Sequence, residues 1–365
     1  MHRSTNIAQN LFKFPLAIII IVFLTAANHT PKGYPRSYSD IITAAEREQT
    51  IVIYSTTDAN EVKGLLDAFR TTYPFLKIDY HELGSTDIYD RIISSSQHQT
   101  ASADLVWSSA MDLQIKLVND GHAQAYSSPE KPNLPPWAMW KNEAYGITAE
   151  PIVFAYNSKL IDSDYVPQSH YSFMQLLKKH PEYYKGKIST YDPQLSGAGY
   201  LHLTQDYEAN HDIWSLISAI GATDPSLYAS SSVLLDKLVN GEQAIAYNVI
   251  GSYALALAER NQDIKVVLPS DYTLVVSRIA IIPNEARHPN AAKLFLDFLL
   301  SHAGQTELAQ IHMGLGREDV AINQADRPAS IVERPVRIGP TLLTYLDQLK
   351  RHRFLERWKI AMQGE

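Results

Sequence analysis

The sequence has no cysteine in its 365 residues. That removes disulfides, thiolate metal ligands, a cysteine nucleophile and a lipid-modified N-terminal cysteine together. It also lacks a basic excess, with 32 Lys and Arg against 39 Asp and Glu and a formal net charge of −7. Nucleic-acid binding rewards the opposite balance, so that class of partner is excluded. Several catalytic signatures are missing too: no GxSxG, no P-loop, no GxGxxG after the first strand and no HExxH among the 13 histidines. No catalytic residue, metal ligand set or cofactor is therefore assigned. An exported phosphatase or esterase would have to assemble its groups from distant loops. Beyond the N-terminus, no segment is apolar enough to span a bilayer.

Length and composition point to a globular protein with room for two cores, since 45% of residues are hydrophobic and 19% charged. The first 27 residues differ from the rest. Arg3 and Lys13 make a positive start, Phe14 to Ala27 is an almost wholly apolar stretch of 14 residues, and Thr25-Ala26-Ala27 supplies small residues for cleavage. A membrane-spanning helix needs about 20 residues, so the pattern predicts a cleaved secretory signal and a periplasmic product. An uncleaved anchor is the alternative. Residues 28–47, with Pro31, Gly33 and Pro35, read as a linker.

From there strand and helix patterns alternate. Ile51-Val52-Ile53-Tyr54 reads as a strand, with Val62, Leu65, Leu66 and Phe69 at helical spacing after it and Pro74 as a breaker. Strands follow at 76–80 and 104–107, with helices over 87–95 and 111–120. The rhythm returns at 187–191, 233–238, 244–248, 273–282 and 292–299. Such alternation predicts an α/β fold with parallel sheets and helices on both faces. Ligands then sit beyond the carboxyl ends of the strands, where helices begin with free N–H groups and a positive dipole end.

Four polar turns fall at such positions. They supply Ser55, Thr56 and Thr57; Ser108 and Ser109; Ser196, Gly197, Ala198, Gly199 and Tyr200; and Tyr247, Asn248 and Ser252. Any one turn reads equally as an ordinary helix cap. Together, small hydroxyl residues and glycines let a ligand approach backbone N–H groups, which suits phosphate, phosphonate or carboxylate. Tyr200 and Tyr247 read as cleft-lining or as plain packing, and Tyr253 as packing. His81 and Glu82, adjacent on a strand, point to opposite faces and read as surface residues. The run Lys350-Arg351-His352-Arg353 reads as a solvated helix face or a partner contact.

These segments resemble a known family. Residues 51–58 with Leu66-Asp67-Ala68-Phe69 and Tyr73-Pro74 look like the opening of bacterial extracellular solute-binding proteins of the ferric-iron type. Ala103 to Ser109, Phe154-Ala155-Tyr156-Asn157 and Asn240-Gly241-Glu242-Gln243-Ala244 continue the likeness over residues 48–315. The resemblance implies a two-lobed type 2 periplasmic fold, a ligand cleft between lobes, a monomer, and an inner-membrane ABC permease as partner. Iron-binding members carry two adjacent tyrosines where this chain has Gly251-Ser252, which puts ferric binding in doubt. Members with small residues there resemble receptors for phosphorylated organic anions. The C-terminal Gly339-Pro340-Thr341-Leu342-Leu343 and the basic helix after it are similar to phosphoglycerate transport regulatory proteins, which act with a membrane sensor kinase. On this reading lobe 1 spans 48–150 and 272–315, lobe 2 spans 151–271, and 316–365 forms C-terminal helices. The chain would cross between lobes near 147–152 and 268–275.

Overall fold

The computed structural model describes residues 30–321 and 331–364, so the expected signal segment lies outside the described residues. Two mixed α/β sheets form the frame. The first has the order β2-β1-β3-β12-β5-β4. Its strands are β1 (Thr50–Ser55), β2 (Lys77–Glu82), β3 (Leu105–Ser108), β4 (Met139–Trp140), β5 (Ala144–Gly146) and β12 (Ile279–Ile281). Helices α1 (Tyr38–Glu48), α2 (Lys63–Thr72), α3 (Ser85–His98), α4 (Met111–Asn119), α11 (Pro289–Leu300) and α12 (His302–Gln310) accompany it. The second sheet holds β6 (Glu150–Asn157), β7 (Ile188–Tyr191), β8 (Ser226–Tyr228), β9 (Ile245–Ile250), β10 (Ile264–Val267), β11 (Thr273–Val276) and β13 (Glu333–Pro335). Its helices are α5 (His170–Lys179), α6 (Pro181–Tyr184), α7 (Gly197–Ala209), α8 (Ile213–Gly221), α9 (Ser231–Val239) and α10 (Gly251–Arg260), and α13 (Gln348–Ala361) closes the chain.

Burial explains the strand choices. Every residue of β3 and β9 is buried, as a central strand covered on both faces requires. In β1 burial alternates, placing Ile51, Ile53 and Ser55 inward. The wholly parallel expectation does not hold. Pairs β1–β2, β1–β3, β7–β8 and β7–β9 are parallel, but β12 runs antiparallel to β3 and β5, and β6 antiparallel to β9 and β10. The reversed strands are those that enter one sheet directly from the other. Part of the expected linker is also helical. Tyr38, Ile42 and Ala45 of α1 pack with Phe295 of α11 in the first core, and Tyr38 Oη donates to Asp297 at 2.9 Å.

The chain passes between sheets at residues 147–149 and again at 277–278. The second passage follows β11, which stays with the second sheet, where Val275 pairs with Pro151 of β6. At the two passages lies a buried ion pair. Arg278 Nε and Nη2 donate to Glu150 Oε1 and Oε2 at 2.9 and 3.2 Å, and both side chains are 1% exposed. Thr148 and Ser252 hydroxyls also donate to the Glu150 carboxylate, and Arg278 Nη1 donates to Thr57 Oγ1 at 2.7 Å. Burial alone would lower the guanidinium pKa, yet the Glu150 carboxylate holds it above its ordinary value.

The C-terminal segment spans both halves. Strand β13 pairs with β11, Leu342 packs with Met111 and Ile115 of α4, and Phe354 and Trp358 of α13 pack with Trp214 and Ile217 of α8. An added Cβ on Gly221 would lie 2.6 Å from Ala361 O, so glycine allows that close approach.

Removing one member of the Arg278–Glu150 pair leaves a buried charge alone. Glu150→Gln is expected to cost about 3–5 kcal/mol, and Glu150→Gln with Arg278→Met distinctly less. Denaturant midpoints measure both, and a double variant as unstable as the single one would contradict the account. A second expectation concerns Asp112 of α4, whose carboxyl burial pushes up to about 7 against the opposing pull of Leu113 N–H and Arg351. A raised carboxyl favours the folded state most below its unfolded value near 4, and that advantage is lost as pH rises through about 7. Asp112→Asn therefore flattens the melting temperature between pH 4 and 7 relative to the parent.

Candidate functional site

A cavity of about 430 Å³ lies between the two sheets' turns. One wall comes from the first sheet: Thr56 and Asp58 after β1, Glu82 to Ser85 at the β2–α3 turn, and Ser109 after β3. The other comes from the second sheet: Tyr191, Ser196 and Ala198 before and within α7, Ser230 to Ser232 opening α9, and Ile250 and Tyr253 at α10. Arg278 lines it between the walls.

Local chemistry sets each wall. Ser196 caps α7 by accepting from Gly199 N at 3.1 Å, and Ser230 caps α9 by accepting from Val233 N at 3.4 Å. Each cap leaves the first N–H groups of its helix without an intrahelical acceptor, at the positive dipole end. Ser231 Oγ accepts from Ile250 N at 3.2 Å and shares a 2.5 Å hydrogen bond with Tyr191 Oη, which fixes the α9 start against α10. Across the cavity, Thr56 Oγ1 donates to Ser109 Oγ at 3.2 Å and accepts from Ser109 N at 3.0 Å. The β1 and β3 turns are thus tied together. Burial holds the Tyr191 and Tyr253 phenols above their ordinary pKa, so both stay protonated; Tyr253 Oη accepts from Asp58 N. The walls touch directly: Ser232 Oγ donates to Asp58 Oδ2 at 3.0 Å.

Of the residues singled out in the sequence, Thr56, Ser109, Ser196 and Ala198 line this cavity. Others have structural partners instead. Ser55 Oγ accepts from Thr57 N, Ser108 Oγ from Ala110 N, and Thr57 Oγ1 from Arg278. Ser252 donates to Glu150. Gly199 lies under Tyr191, where an added Cβ would come within 2.4 Å of the tyrosine Cβ. Tyr200 points away from the cleft and donates to Tyr345 O at 2.7 Å, beside Phe354. Tyr247 and Asn248 donate to the buried Asp206, and Asn248 sits at φ 62°. Gly197 serves the fit of the two halves. An added Cβ there would lie 2.7 Å from Ser85 Oγ and 3.1 Å from Leu113 Cδ1, so α7 meets α3 and α4 at this point.

Asp58, Ser85, the serines 230–232 and Arg278 were not named as site residues, and Glu82 and Tyr253 were given other roles. The serine run had the same signal as the other turns, an N-cap before the apolar Val233 and Leu234. Arg278 stood out only as one charge in an apolar run, Val275 to Ile282. Glu82, read as a surface residue, and Tyr253, read as packing, both reach the cavity. The register explains Glu82. It pairs with Ser55 at the end of β1, which brings it to the same turn as Asp58.

Among the described residues no group of three or more His, Asp or Glu is placed to hold a metal ion, and no helix is long and apolar enough to cross a membrane.

The family model of bacterial extracellular solute-binding proteins matches residues 64–321. A solved substrate-binding protein of an ABC transporter from Agrobacterium tumefaciens is 38% identical, covers 86% of this chain and 94% of its own, and superposes with a TM-score of 0.80. Iron-bound HitA from Pseudomonas aeruginosa shares the fold at 20% identity, with 86% and 99% coverage and a TM-score of 0.68. AfuA from Actinobacillus pleuropneumoniae, solved with fructose-6-phosphate, does so at 20%, with 86% and 98% coverage and a TM-score of 0.68. No curated protein matches the sequence. The match over most of the chain, together with the 38% identical relative, shows the family: the chain belongs to the bacterial extracellular solute-binding proteins.

Proposed function

We propose that this receptor captures a small anionic organic solute, a phosphorylated or carboxylated metabolite, in the cavity between its two sheets. The observation that carries the reading is the second wall, where the starts of α7 and α9 converge with Ser196, Ser230, Ser231 and Ser232 and carry no carboxylate. Unpaired N–H donors at helix starts, joined by hydroxyls, form a neutral donor set for an anion. A few charge-assisted bonds of about 1.5–3 kcal/mol each reach a micromolar affinity, about −8 kcal/mol, after ordering costs. Phosphoglycerates are the first solutes to test, given the C-terminal likeness to phosphoglycerate transport regulatory proteins. An ABC permease is the partner the family implies, with a sensor kinase as the signalling alternative. We take lobe 1 as the first sheet with its helices and lobe 2 as the second, closing on the solute from both sides.

A ferric reading fits the site less well. A tyrosine cannot replace Gly251 without displacing Pro151, whose carbonyl oxygen would lie 2.6 Å from an added Cβ. Ser252 is committed to Glu150.

Calorimetry of the mature protein against 3-phosphoglycerate, alkyl phosphates, phosphonates and dicarboxylates is expected to give saturable binding to at least one of them. Gly197→Val is expected to weaken that binding at least tenfold by wedging α7 from α3 and α4, and to lower the unliganded melting temperature, because the same contact is made without ligand. Silence from every anion would sink the reading. For export, N-terminal sequencing of periplasmic protein is expected to begin near Asn28, and a product still carrying Met1 would show a retained anchor instead.

A further inference from the structure

The two walls of the cavity differ in charge. Its ionised side chains are Asp58, Glu82 and Arg278. The Arg278 charge is already matched by Glu150 in the buried bidentate pair. Both remaining carboxylates stand on the first wall, and among the described residues no lysine, arginine or histidine forms an ion pair with either. Glu82 Oε1 accepts from Ala59 N at 2.7 Å, and Asp58 Oδ2 from Ser232 Oγ at 3.0 Å. Each carboxylate thus keeps a second oxygen with no donor assigned to it. The second wall has only hydroxyls and helix starts.

A solute that was anionic throughout would meet two carboxylates on the first wall, Asp58 half-buried and Glu82 exposed at its edge, with no cation paired to either among the described residues. We propose that the solute is a zwitterion, with its anionic group on the α7 and α9 starts and a protonated amine between Asp58 and Glu82. This rests on the anion reading above and adds the solute's second pole. The amine would turn the repulsion into charge-assisted hydrogen bonds to the two free oxygens. The pairing of β1 with β2 supplies the geometry, since Ser55 lies beside Glu82 and the turn after Ser55 carries Asp58. The two poles then sit on opposite walls, so a bound zwitterion links the halves by opposite charges at its two ends.

The test compares O-phosphoethanolamine with propyl phosphate, the same shape with a methyl in place of the ammonium, and with glycerol 3-phosphate, which offers hydroxyls there. Calorimetry on the full mature chain is expected to rank O-phosphoethanolamine at least tenfold tighter than either. Asp58→Asn and Glu82→Gln are each expected to shrink that margin, and the double variant to remove it while leaving propyl phosphate affinity the same or better. Melting curves without ligand check that the variants fold. Equal or tighter binding of propyl phosphate or glycerol 3-phosphate by the parent would overturn the zwitterion and leave the anion reading standing. A margin that survives the double variant would also overturn it. Ethanolamine binding as tightly as O-phosphoethanolamine would show that the anionic pole is not read, and both proposals would fall.

Discussion

The paired charges of Arg278 and Glu150 sit where the chain passes from one sheet to the other and back, and the rest of the molecule is arranged around them. Each residue heads or precedes a strand, Glu150 opening β6 and Arg278 preceding β12. Two buried ions so placed are stable only while they stay together. The pair also reaches outward, through Thr57 to the first wall of the cavity and through Ser252 to the start of α10. The walls can separate at Asp58 and Ser232 or at Gly197 and Ser85, but the bidentate pair cannot open without stranding a charge.

On the proposed anion reading, the second wall of the cavity offers dipoles where a simpler design would use lysines. A lysine or arginine in the second wall would draw every acidic metabolite and hold it in a field that reaches about 8 Å at physiological salt. Neutral N–H and O–H groups act only at contact, so they favour a shape that fits over charge in general. Their alignment is fixed in advance by Ser196, Ser230 and the Ser231–Tyr191 bond. Little reorganisation remains for the moment of binding.

Much of this was legible in the sequence, for reasons particular residues show. The strand at Ile51 to Tyr54 and the α3 pattern obeyed simple periodicity, because each is local and half-buried; α4 and α11 kept a helical pattern although most of each is buried. The family likeness was legible in short segments at strand ends. Sheet direction was not, since β6 and β12 look like any apolar run and only their origin in the opposite sheet reverses them. Of the residues singled out, Thr56, Ser109, Ser196 and Ala198 line the cavity, the first three from turns that follow strands and the last from the first turn of α7. Tyr200, Tyr247 and Asn248 lie in the same segments, yet they face Tyr345 and Asp206, because which side of a helix or strand meets the cleft depends on distant packing. Glu82 was lost for another reason: it shares a strand face with Ile78 and Tyr80 and pairs with Ser55, but as a charged residue at the strand's end it was read as surface.

The interleaving of the halves also governs the order in which the molecule can be built. The first sheet waits for β12, whose Ala280 pairs with Trp107 across more than 170 residues of sequence, and for α11, which covers α1. The second waits for β13 and α13 at the chain's end. Contacts so far apart close late and slowly, because loop entropy is lost before they form. A nascent chain still missing its last hundred residues has neither core complete. Neither core can therefore close before the C-terminal third of the chain is available.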